Sequence, residues 1–143
     1  MVPYRIILAD NHAPLRRELR RMLDEQSDLE IAGEAGEGLG LLSLLKSTVA
    51  GPLLVILSLT LPNLQGSEGI RTIKAIRAET QVLILSMHED AEYLRQAIST
   101  GAEGYLIIGS IDKELLRAVE TIRSGKVYVP PIFAGDFCSM HHV

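Results

Sequence analysis

The run Leu53-Leu54-Val55-Ile56-Leu57 constrains this chain most, because it is apolar without a single alternation. A strand with one wet face alternates apolar and polar residues. A strand covered on both faces does not. Extended to Leu61 the run is still far short of the roughly 20 residues a membrane span needs. It therefore reads as a central strand, and the rest of the chain has to supply a layer on each side of it.

The flanking segments fit that demand. Tyr4 to Ala9 is a short β-rich run that ends at Asp10. Leu15, Leu19, Met22 and Leu23 then form one apolar helical stripe, with Pro14 in the first turn. Leu29 to Ala35 reads as a second strand. Glu37 to Thr48 reads as a helix with a late or frayed start, since Gly36, Gly38 and Gly40 each weaken a helix by about 1 kcal/mol relative to Ala. A Pro62/Gly66 loop follows the central strand. Ile70, Ile73 and Ile76 mark the next helix, and Gln81 to Ser86 the fourth strand. Ala91, Leu94 and Ile98 mark a helix that Gly101 can cap. Gly104 to Ile108 reads as the fifth strand. A last helix carries Leu115, Val119 and Ile122, from near Asp112 to Gly125.

Five strands alternating with five helices imply an α/β three-layer sandwich, a (βα)5 flavodoxin-like fold with a parallel sheet in the order 2-1-3-4-5. The functional crevice of such a sheet lies beyond the carboxyl ends of its strands. Strands 1, 3, 4 and 5 should therefore bring Asp10, Ser58, Ser86 and Ile108 to one neighbourhood. The domain is expected over residues 1–125. Residues 126–143, with Pro130-Pro131 and no periodicity, read as a linker or tail.

The 143 residues suit one domain, and the net charge of −4 argues against autonomous nucleic-acid binding. The one basic cluster, Arg16, Arg17, Arg20 and Arg21, is interleaved with Glu18, Asp24 and Glu25, as on a solvated helix face. Cys138 is the only cysteine, which excludes an intrachain disulfide. His141 and His142 read as exposed tail residues. No leader peptide opens the chain, so a cytoplasmic location is expected.

Four segments carry a family resemblance: Ile7 to His12, Leu61 to Gly66, Leu85 to Asp90 and Gly101 to Leu106. Over about residues 4 to 130 the chain resembles the receiver domains of bacterial two-component response regulators. Ser86-Met87-His88 and Gly125 to Tyr128 are similar to the LuxR/NarL-like subfamily, whose members usually carry a helix-turn-helix. The resemblance implies two adjacent acids for Mg²⁺ after strand 1, a phosphoryl-accepting aspartate after strand 3, a Ser or Thr after strand 4 and a lysine after strand 5. It also implies an aromatic on strand 5 that turns inward in the active state. Carried over by position, Asp10 keeps the first acid and Asn11 replaces the second. Ser58 stands at the acceptor position, Ser86 is kept, Tyr105 fits the switch aromatic and Ile108 replaces the lysine. Pro62, four residues after Ser58, holds this register.

The substitutions have physical consequences. An acyl phosphate needs a carboxylate nucleophile, and a serine hydroxyl stays protonated near neutral pH. Mg²⁺ prefers several hard oxygens with carboxylate charge, so with Asp10 as the one relic ligand its binding should be weak or lost. Ile108 cannot neutralise a phosphoryl dianion. No catalytic residue, cofactor or metal is expected.

Blander roles stand beside these. Asp10 is expected to cap the following helix rather than hold metal, and Ser86 to cap or bond a loop. Tyr105 suits a half-buried edge position equally well, His12 and His88 lie at loop mouths, and Met87 should only pack. The leading functional expectation is an atypical receiver acting by phosphorylation-independent binding to a protein partner or to its own copy. DNA would be read only through a helix-turn-helix absent from these residues. A small-molecule sensor using the former phosphorylation pocket is the alternative. An enzyme ranks lowest, since no G-x-G-x-x-G, Walker A motif or nucleophile with its base is present.

Overall fold

A computed structural model describes residues 3–135. Cys138, His141 and His142 lie outside the described residues. The elements run β1 (Tyr4–Ala9), α1 (Ala13–Asp24), β2 (Leu29–Ala35), α2 (Gly38–Ser47), β3 (Leu53–Ser58), α3 (Gly66–Ile76), β4 (Gln81–Ser86), α4 (Ala91–Thr100), β5 (Gly104–Ile107) and α5 (Ile111–Arg123). All neighbouring strands pair in parallel, in the order β2-β1-β3-β4-β5.

The two-residue repeat of the strands sorts the core into two layers. Ile6, Leu8, Leu54, Ile56, Leu83, Leu85 and Leu106 face α1 and α5, where Leu19, Leu23, Leu115 and Val119 cover them. Ile7, Val55, Leu57, Val82, Ile84 and Tyr105 face α2, α3 and α4, under Leu41, Leu45, Ile70, Ile73 and Leu94. Every residue of β3 is buried, as its unbroken apolar run requires.

Three expectations are corrected. First, α2 starts cleanly at Gly38. The Glu37 carboxylate accepts from the N–H groups of Leu39 and Gly40 at 3.0 and 2.6 Å, and from the Asn63 amide at 3.2 Å. Gly38 itself donates to the Pro62 carbonyl at 2.7 Å. A Cβ on Gly38 would lie 2.8 Å from the Asn63 carbonyl oxygen and from Leu64 Cβ. The glycine that weakens the helix intrinsically is thus what lets the β3–α3 loop press against its first turn.

Second, β5 ends at Ile107, and Ile108 opens a short 3-10 turn, Ile108–Ser110. Third, residues 127–133 do not behave as a free linker. Tyr128 donates its N–H to the Glu103 carbonyl at 2.9 Å and accepts from Tyr105 N–H at 3.2 Å. Tyr128, Pro130 and Phe133 are buried, and the Phe133 ring meets Tyr105 edge-on with centroids 6.0 Å apart. The outer edge of β5 is covered by this segment.

Arg77, just past α3, ties down the α2–β3 connection. Its guanidinium donates to the carbonyls of Thr48 (2.9 Å), Gly51 (3.3 Å) and Val49 (3.4 Å). Its side chain is only 10% exposed. Charge-assisted bonds to partly buried carbonyls are individually strong. Arg77→Ala should lower the free energy of urea unfolding by about 2 kcal/mol. Arg77→Lys should restore less than half, because an ammonium cannot reproduce the fork.

The cap of α2 gives a pH-dependent expectation. The Gly40 and Leu39 N–H groups and then the Asn63 amide hold the Glu37 carboxyl below its ordinary value of 4.5. A carboxyl lowered on folding stabilises the fold above its unfolded value, and that contribution is lost as pH falls through the folded value. Glu37→Gln should therefore melt below the parent chain at neutral pH. The gap in Tm between the two should close on acidification. A gap independent of pH would show that the charge on Glu37 is not what stabilises the cap.

Candidate functional site

The carboxyl ends of β1, β3 and β4 deliver three buried polar side chains: Asp10, Ser58 and Ser86 are 3%, 3% and 2% exposed. All three make the same local bond. Asp10 Oδ1 accepts from His12 N–H at 2.6 Å, Ser58 Oγ from Thr60 N–H at 3.3 Å and Ser86 Oγ from His88 N–H at 2.9 Å. Each side chain thus closes the turn that leaves its strand, by bonding the backbone two residues on. The expectation that Asp10 caps α1 is corrected in this detail. His12 is the N-cap residue and α1 begins at Ala13, so Asp10 braces the loop one step earlier. Ser86 bonds its loop, as its blander reading anticipates.

These residues surround one cavity of about 550 Å³. Asp10, Asn11, Ser58, Ser86 and Ile108 all line it, as do His12 and His88. The sequence reading missed Pro14, Leu15, Leu59, Thr60 and Leu85 as lining residues. Leu15 reads as part of the α1 core stripe, and the half-turn that carries it to the mouth leaves no signal in the pattern. Met87 does not pack as expected. It lines the cavity while remaining 78% exposed.

Charge in the cavity is sparse. Among the described residues, Asp10 is its only carboxylate, and no lysine or arginine lines it. Arg16 approaches from α1, but its guanidinium donates to the backbone carbonyl of Asp10 and pairs with Glu34 at 3.3 Å. Ser58 Oγ has its bonds with Thr60, to the N–H and to the side-chain hydroxyl at 3.1 Å, and none with a histidine. Among the described residues, no group of three or more His, Cys, Asp or Glu is placed to hold a metal ion.

Tyr105 stands behind the cavity. Its ring is fully buried, which corrects the half-buried expectation. Its hydroxyl donates to the His88 carbonyl at 2.9 Å. Burial pushes the phenol pKa up, and the nearby Ser86 hydroxyl opposes that push. The His88 ring lies flat on Tyr93 of α4, with centroids 3.9 Å apart. Ser86, Tyr105, His88 and Tyr93 thus link the end of β4 to β5 and α4. No helix among the described residues is long and apolar enough to cross a membrane.

Comparison with known proteins bears on what this crevice is. Residues 6–120 match the response regulator receiver domain family. The oxygen regulatory protein NreC of Staphylococcus epidermidis is 34% identical over 128 residues, which cover 87% of this chain and 57% of NreC. The chain therefore spans a little over half the length of that curated relative. A LuxR-family two-component response regulator from Aurantimonas sp. SI85-9A1 superposes with a TM-score of 0.87 at 28% identity, over 99% of both chains. The signal receiver domain of NarL from Mycobacterium tuberculosis superposes at 0.79 with 25% identity, covering 88% of this chain and all of that one. With a parallel sheet in the matching order and a crevice holding Asp10, Ser58 and Ser86 at its carboxyl edge, this chain belongs to the response regulator receiver domain family, among the LuxR/NarL-type regulators.

Proposed function

We propose that this receiver signals without being phosphorylated, through contact with a protein partner or a second copy of itself. The observation that carries the reading is the chemistry of the cavity lining: one carboxylate, no lysine, and a serine hydroxyl at the end of β3. A receiver that forms an aspartyl phosphate needs a carboxylate nucleophile at that position. Ser58 has no base bonded to it, and its Oγ is engaged with Thr60.

The donor set does not fit Mg²⁺. That ion wants a near-octahedral shell with one or two carboxylates. Asp10 offers one, with Oδ1 already taken by a backbone N–H, and Asn11 supplies no charge. Ile108 likewise brings no countercharge for a phosphoryl group. No catalytic role follows for any of these residues. The inward Tyr105, locked by the His88 carbonyl, supports a resting state in which the switch aromatic is already turned in. DNA contact is assigned to a separate domain, and the working location to the cytoplasm.

Incubation with acetyl phosphate and Mg²⁺, followed by intact-mass measurement, should give no phosphorylated species. Sedimentation velocity should show the same size distribution with and without the phosphodonor. The variant Asn11→Asp, Ser58→Asp, Ile108→Lys should gain labelling, which shows that the scaffold is intact and only the side chains are missing. A phosphoryl group on Ser58, or tight Mg²⁺ binding by the parent chain, would sink the proposal.

A further inference from the structure

The same cavity has a feature that loss of phosphorylation does not explain. Asp10 is 97% buried in the sense that only 3% of its surface is exposed, yet just one of its carboxylate oxygens has a hydrogen-bond partner. The other lines the cavity without a partner. That oxygen is not among the buried polar atoms left without a partner, so it meets the cavity's solvent and is open to a donor from a ligand. The remaining polar groups do not supply one. The Ser86 hydroxyl oxygen accepts from His88 N–H, and the Ser58 hydroxyl bonds Thr60. Leu15, Leu59, Leu85 and Ile108 supply an apolar wall beside this carboxylate, and exposed Met87 stands at the mouth. A volume of about 550 Å³ is in the range of pockets that enclose small organic ligands.

From this geometry we infer that the cavity binds a small organic cation: an ammonium head on the free oxygen of Asp10, and an apolar body against Leu15, Leu59 and Ile108. Ile108 is central to the fit. A lysine there would place its own ammonium in the cavity and fill it with a flexible chain. Isoleucine leaves the space open and the carboxylate uncompensated. An anionic ligand is disfavoured by Asp10, and a fully apolar one would leave the carboxylate unpaired. This inference rests on the reading of the cavity as free of phosphoryl and Mg²⁺ chemistry.

The test uses the full chain and three probes of equal length: n-hexylammonium, n-hexanol and n-hexanoate. Calorimetric titration and thermal shift should rank hexylammonium first, with about tenfold tighter binding than hexanol from one charge-assisted hydrogen bond. Hexanoate should not bind. Asp10→Asn keeps an oxygen for His12 N–H, so the loop stays closed, and it should reduce hexylammonium to the level of hexanol. Ile108→Lys, at a partly exposed position, should abolish binding of hexylammonium and hexanol. Thermal melts of both variants without probe verify folding. Equal binding of the three probes, no binding of hexylammonium, or binding unchanged by Ile108→Lys would overturn the inference. A parallel Mg²⁺ titration separates the two levels. Without Mg²⁺ or amine binding, only the ligand assignment falls. Tight Mg²⁺ binding removes the phosphorylation-independent reading as well.

Discussion

Burial of β3 on both faces is the constraint from which the rest of the molecule follows. A strand with no polar residue from Leu53 to Leu57 must lie between two layers, with β1 and β4 as its neighbours. Its first polar side chain, Ser58, therefore emerges where the sheet ends and the helices have not yet begun. By the two-residue repeat, Asp10 and Ser58 leave the sheet on the side of α1 and α5, following Leu8 and Ile56. Ser86 leaves on the other side, following Ile84, which is the side of Tyr105. That split gives Ser86 its separate part. It faces the cavity, yet it bonds His88 N–H, while the His88 carbonyl accepts from the buried phenol and the His88 ring stacks on Tyr93 of α4.

The sheet order and the meeting of Asp10, Asn11, Ser58, Ser86 and Ile108 were legible because both depend on local pattern. An apolar run states which strand is central, and the alternation of strands with helices states which ends share an edge. The start of α2 was not legible, since propensity counts Gly38 as a loss and cannot see the Pro62–Leu64 loop that needs the missing side chain. The docking of residues 127–133 was hidden for a similar reason. Tyr128, Pro130 and Phe133 show no period because they cover one edge strand and one ring, not a face of their own. The depth of Tyr105 follows from that cover. On sequence it sits on an edge strand, while in the fold the edge is already occupied.

The three odd residues of the crevice belong together on electrostatic grounds. Carboxylates crowded at the ends of β1 and β3 would repel one another unless a cation joined them, and a lysine on β5 would offset part of that charge. Removing only the lysine would leave acids without compensation. Removing only the acids would leave a buried ammonium without a partner. With Asn11, Ser58 and Ile108 in place, a single charge is left, and the turns are held by bonds that need no ion: Asp10 to His12, Ser58 to Thr60, Ser86 to His88. The loops at the carboxyl edge of the sheet are closed by the chain itself. What that closure does not use is the second oxygen of Asp10. Among the described residues, the one carboxylate that lines the cavity is therefore also the group left with an oxygen that no part of the turn takes up.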